Sequence, residues 1–106
     1  MKNEYGAKLD RNGYAPSILD TEQGVCFRCT RGTDTARHEI FYGNGVRPKS
    51  KRYGLWADFC PYCHNLIHNN QKEDDELKRF MQRAAMDYYG WSLYDWHREF
   101  LDKSYL

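Results

Sequence analysis

Two C-x2-C pairs, Cys26-Phe27-Arg28-Cys29 and Cys60-Pro61-Tyr62-Cys63, contain every cysteine in this chain. Two thiolates three positions apart can grip one divalent ion from a tight turn, and two such pairs complete a tetrahedral four-thiolate shell. The spacing therefore predicts a structural Zn2+ on Cys26, Cys29, Cys60 and Cys63, with no cysteine left over. The alternative is two disulfides. No signal peptide or apolar leader opens the sequence, and such pairs in a leaderless chain read as metal ligands in a reducing cytosol. The expected location is cytoplasmic.

At 106 residues the chain is expected to form a single domain, 1–106. Aromatic residues make up 16% of it, with nine tyrosines, five phenylalanines and three tryptophans, while Val and Ile are scarce. A thin aliphatic core implies that metal supplies part of the folding free energy. Structural zinc contributes on the order of 10 kcal/mol in small domains, comparable to a typical net stability. No apolar run approaches the roughly 20 residues a membrane helix needs. Net charge is only +1, well short of the basic bias of a sequence-independent nucleic-acid binder. The basic residues gather at Arg47, Lys49, Lys51 and Arg52, and the acidic ones at Glu73, Asp74, Asp75 and Glu76. The basic strip is the candidate contact for phosphate or for an acidic partner surface; the alternative is a solvated loop.

Three segments are expected: an extended N-terminal arm (1–25), a zinc-binding core (26–70) and a helical extension (71–106). Tyr14-Ala15-Pro16-Ser17-Ile18-Leu19 suits an edge segment, since Pro is tolerated there. Residues 26–32 form a knuckle in which Gly32 can supply an unusual backbone angle. Arg37-His38-Glu39-Ile40-Phe41-Tyr42 reads as a strand closed by Gly43-Asn44-Gly45. A basic loop, 46–54, then leads to a second strand at 55–59. Pro61 suits the first turn of a helix carrying Cys63, His64, Ile67 and His68. A longer helix starts near Asp74 or Asp75, with Leu77, Phe80, Met81, Ala84, Ala85 and Tyr88 at helical spacing, and Gly90 stops it. Ser92-Leu93-Tyr94-Asp95 resembles a capping box and opens a last helix bearing Trp96 and Phe100.

His64 and His68, four apart on one helix, emerge on the same face. His38 lies on the strand between the cysteine pairs, and a treble-clef-like arrangement would bring it to the helix. His38, His64 and His68 could then hold a second divalent metal; otherwise His64 and His68 are surface residues or alternate zinc ligands. His97 has no evident partner.

Residues 26–68, through Cys26, Cys29, His38, Cys60, Cys63, His64 and His68, resemble the HNH, or ββα-metal, superfamily in its cysteine-bearing form. Tyr14-Ala15-Pro16-Ser17-Ile18 and the stretch with Arg47, Ser50 and Tyr53-Gly54-Leu55 resemble small HNH-like bacteriophage proteins. The resemblance implies an α+β fold, a zinc-stabilised treble-clef/HNH-like ββα core with two C-terminal helices. Superfamily members cut DNA with one divalent metal, and a histidine next to the strand's metal ligand takes the proton from the attacking water. Here the pattern breaks. If His38 is the ligand, Glu39 stands at the base position; if His38 is the base, Arg37 stands where a ligand belongs.

Two functional classes follow. One is a metal-dependent endonuclease of phage DNA processing or recombination, with His38, His64 and His68 as ligands and Glu39, or His38, in the catalytic role. The other is a zinc protein on a degenerate nuclease scaffold that inhibits a host DNA-targeting complex, as anti-CRISPR proteins do to the type II CRISPR effector nuclease. Its setting would be the bacterial host cytosol. The near-neutral charge, the aromatic extension and the missing base favour the inhibitor, and the complete histidine trio favours the enzyme.

Overall fold

The computed structural model describes residues 1–19, 24–32 and 34–106, so residues 20–23 of the expected arm lie outside the described residues. The two short β-prone runs flanking the basic stretch pair as an antiparallel two-stranded sheet. Strand β1 (Ala36–Glu39) faces β2 (Trp56–Phe59), with His38 opposite Ala57 and Glu39 opposite Trp56. β1 is shorter than its sequence suggests. After one further rung, Ile40 N–H to Leu55 O at 3.0 Å, the buried Ile40 and Phe41 turn into the core. The Phe41 carbonyl then accepts from the buried Ser50 hydroxyl at 2.6 Å instead of a partner strand.

The basic stretch expected as a loop is instead a short helix, α1 (Arg47–Arg52). Pro48 in its first turn needs no donor there. Gly54 follows at φ 74°, and any Cβ at that position would collide with the Pro16 carbonyl. Only glycine lets residues 14–18 lie so close. That segment docks through Ala15 N–H to Lys51 O (2.9 Å), Ile18 N–H to Gly54 O (3.0 Å) and Ser17 Oγ to Trp56 O (2.6 Å). It lies against α1 and the start of β2 without joining the sheet as a strand.

The expected extended arm is turned rather than straight. Asn3 Oδ1 accepts from the N–H groups of Tyr5 and Ala7, and Asp10 Oδ1 from those of Asn12 and Tyr14. These local side-chain bonds compete with extension, as Asn and Asp do in turns.

Helix α2 (Pro61–Asn69) starts at the Cys60 cap, and α3 (Gln71–Tyr89) follows after Asn70, whose Oδ1 accepts from Glu73 N–H at 3.2 Å. Gly90, left-handed at φ 69°, ends α3. Helix α4 (Leu93–Glu99) opens on a reciprocal Ser92–Asp95 capping box. His97 Nδ1 lies 2.9 Å from the Leu101 carbonyl, so it has a partner within its own turn.

The buried face of α3 is rotated from the apolar stripe in the sequence: Asp74, Lys78 and Gln82 are buried beside Met81 and Ala85, while Phe80 is 49% exposed. The polar groups are tolerated because they are paired. Asp74 holds Lys78 at 2.8 Å, and Gln82 grips the C-terminal tail through Tyr105 N–H (2.7 Å) and Ser104 Oγ (3.0 Å). The aromatic core centres on Phe41, whose ring lies 5.4 Å from Trp96 and 5.2 Å from Phe100. Among the described residues these elements make a small α+β fold of one two-stranded sheet and four helices. No helix among the described residues is long and apolar enough to cross a membrane.

Candidate functional site

Both cysteine pairs are shaped by backbone before any ion is considered. In the first, Thr30 takes the left-handed conformation (φ 64°), and the turn closes with Thr30 N–H to Cys26 O (2.9 Å) and Cys26 N–H to Arg31 O (3.0 Å). Thr30, not Gly32, supplies the unusual angle. The second pair forms the start of α2, with Cys63 N–H pointing at Cys60 Sγ (3.4 Å) just as Cys29 N–H points at Cys26 Sγ (3.5 Å). Phe27 N–H to Asp58 O (2.8 Å) ties the first turn to the end of β2 and so brings the pairs together.

The four thiols are free, and their sulfurs all lie within 4.8 Å of one another. Cys29 and Cys60 Sγ are 3.7 Å apart. That is far from the roughly 2.05 Å of a disulfide. It matches the about 3.8 Å separating thiolates that sit about 2.3 Å from one tetrahedral zinc. Burial opposes ionisation of Cys26, yet the backbone N–H groups of Cys29, Cys60 and Arg28 outweigh it and pull its thiol down. The cluster could hold a metal ion such as zinc.

A second cluster forms beside the first because α2 serves both. Cys63 and Ile67 face the core, while the next positions, His64 and His68, share the neighbouring face. Their Nε2 atoms are 3.1 Å apart, within the about 3.0–3.4 Å separating two imidazole nitrogens on one ion at about 2.1 Å. β1 brings in His38, whose ring centroid lies 5.1 Å from His64 and 5.2 Å from His68. A ring nitrogen from each of the three lies within 4.8 Å of the others.

His38 is only 5% exposed, and its buried Nε2 has no hydrogen-bond partner among the described residues. Such an orphan is costly unless something binds it. Burial, then the neighbouring imidazoles of His64 and His68, hold His38 down to about 4, and burial and His68 also lower His64. Both rings are therefore neutral near pH 7, the form that binds metal. His64 is half-buried and His68 exposed, so the trio opens outward. A cavity of about 300 Å³ bordered by Asp34, Pro61, His64 and Asn65 lies alongside.

Behind the trio is a group that the sequence does not reveal. Tyr42 packs 6.0 Å from His38 and 5.9 Å from His68, and its hydroxyl donates to Asp74 Oδ2 at 3.0 Å. Lys78 donates to the same oxygen at 2.8 Å, while Asp74 Oδ1 has no partner among the described residues. The Asp74–Lys78 spacing signals an ion pair, but nothing local signals that it is buried.

The other site candidates lie elsewhere. Successive side chains on a strand face opposite ways, so Glu39 turns from His38 and places its carboxylate 3.3 Å from Arg47. Burial, then the Glu39 charge, raises the Tyr14 phenol on that side. The basic residues of α1 are engaged within the molecule. Arg47 pairs with Glu39, Arg52 with Glu4, Lys49 donates to Phe100 O at 3.0 Å, and Lys51 lies 4.9 Å over the Tyr14 ring.

No protein-family model matches the chain, and neither does any curated protein or solved structure. The geometry alone carries the functional argument.

Proposed function

We propose that the chain is a metal-dependent hydrolase of nucleic-acid phosphodiesters on an HNH-like, treble-clef scaffold, with structural zinc on the four cysteines. One observation carries this reading: His38, whose buried Nε2 is unpartnered among the described residues, brings a ring nitrogen within 4.8 Å of a histidine pair already at ligand spacing. A scaffold that had lost its metal would gain by filling or pairing that nitrogen. His38, His64 and His68 would hold the ion, leaving positions open as catalytic sites do. When bound, such an ion polarises a phosphoryl oxygen and lowers the pKa of its water.

The chain's own contribution is orientation. α2 fixes two ligands by its pitch, β1 fixes the third, and Tyr42 packs against the rings of His38 and His68. Glu39 occupies the superfamily's base position in sequence but is held by Arg47, so it contributes little to proton transfer. The test is plasmid nicking by the zinc-loaded protein with added Mg2+, Mn2+ or Ni2+. Nicking that requires the second metal and is lost in His64→Ala is expected. Equal nicking by that variant, or none by the wild type with any of these metals, rejects the reading.

A second reading is supported by Glu39 itself. A carboxylate paired with Arg47 at the base position suits a scaffold that has left catalysis and binds a host DNA-targeting complex, the type II CRISPR effector being the concrete candidate. Adding the protein to a guide-loaded effector should then reduce DNA loading, while the protein alone cuts nothing.

A further inference from the structure

The face of the sheet opposite the histidines carries an unassigned cavity of about 340 Å³, with Lys8, Asp10, Tyr14, Arg37 and Trp56 in its lining. Its size falls within the roughly 300–1,000 Å³ of ligand pockets. Arg37 lies next to His38 in β1, so alternation sends it to this side. Its guanidinium carbon lies 3.9 Å from the Trp56 ring centroid and 4.4 Å from that of Tyr14. The corner is rigid: Trp56 Nε1 donates to Ala15 O at 2.8 Å, and the Tyr14 and Trp56 rings meet at 79°.

The guanidinium is thus held in place, and its one acidic partner among the described residues forms a loose ion pair. Its acidic neighbour, Asp10 Oδ2, is 3.6 Å away, too far for a hydrogen bond, and Arg37 makes none among the described residues. Lys8 lines the same cavity, and Lys51 lies over Tyr14. The Glu39 charge nearby is already matched by Arg47. A planar fork backed by two aromatic rings, with its donors free of hydrogen bonds among the described residues, suits a phosphate oxygen pair.

We infer that this cavity is a phosphodiester subsite for nucleic acid, in which Arg37, backed by the rings of Tyr14 and Trp56, holds the phosphate together with Lys8. The inference rests on the nucleic-acid reading above and adds a contact that the metal cluster does not make. Asp10 is then a competitor for the guanidinium, displaced when phosphate binds.

The experiment follows the anisotropy of a fluorescein-labelled oligothymidylate of about ten nucleotides with the zinc-loaded full chain and no second metal added. Arg37→Ala should weaken binding about tenfold or more, the scale of charge-assisted hydrogen bonds, and should flatten the salt dependence. Arg37→Ala could also loosen the N-terminal turns, so Asp10→Asn is the sharper variant. It keeps the Oδ1 acceptor used by Asn12 and Tyr14 and removes only the charge beside Arg37. It should tighten binding severalfold, which a purely structural role for Arg37 would not produce.

Oligonucleotide affinity that is unmeasurable in the wild type, or unchanged in both variants, overturns the subsite. Nicking is followed in parallel. Metal-dependent nicking with unchanged Arg37→Ala binding removes the subsite and leaves the hydrolase. Arg37-dependent binding without nicking keeps the subsite and removes the hydrolase.

Discussion

Glu39 and His38 are neighbours in sequence but serve opposite faces of one short strand, and that single alternation separates two accounts of the chemistry. A positioned general base contributes about 10²–10⁴ in rate. With its carboxylate 3.3 Å from Arg47 and turned from the trio, Glu39 should contribute far less. Glu39→Gln is therefore expected to change metal-dependent nicking by less than about tenfold, measured beside His64→Ala as the inactive reference. A loss of a hundredfold or more would mean that the side chain swings to the metal side during catalysis. The residue types of this site are legible in the sequence. His64 and His68 are four apart on a helix, and the cysteines announce themselves by spacing. The side to which Glu39 turns is not, because it depends on where β1 meets β2 and on Arg47, eight positions away.

At the scale of elements, local punctuation was the readable part. Pro61 after Cys60, Gly90 past α3 and the Ser92–Asp95 box each act within one turn, so sequence alone places α2, the end of α3 and the start of α4. Ser92→Ala removes both halves of the box's hydroxyl bonding and should cost about 1 kcal/mol in urea unfolding, with the metal content unchanged. The stretch 46–54 misleads because its charges look solvated. It becomes α1 through partners distant in sequence, with Lys49 reaching Phe100 and Arg52 reaching Glu4. The rotated face of α3 has the same origin. Asp74 and Lys78 are buried as a pair that Tyr42 joins through Asp74 Oδ2, and Gln82 is buried against the tail at Ser104–Tyr105. Gln82→Leu should therefore free the tail and expose Tyr105 to protease, while the zinc cluster stays intact.

Over the whole molecule, the aromatic core is joined by an edge whose four cysteines could hold a metal ion, and under the proposed function both contribute to stability. Trp96 is fully buried against Phe41 and Phe100, and Trp96→Ala should cost about 3–5 kcal/mol. The cysteine cluster closes the other side, where the knuckle, the end of β2 and the start of α2 meet. Zinc binding and folding are linked there, so a strong chelator, or Cys60→Ala, should unfold the segment between the pairs as read by amide exchange. An unchanged melting temperature after complete zinc removal would contradict that contribution. α2 bears residues of both clusters, so its register couples them.

Two metal centres of different kinds, as proposed for this chain, are checked by counting metal per chain in wild type and His68→Ala after equilibration with Ni2+ or Mn2+ and removal of excess. The account predicts one zinc plus one exchangeable ion in the wild type, and one zinc alone in the variant. One zinc in both, with no exchangeable ion in the wild type, would contradict it.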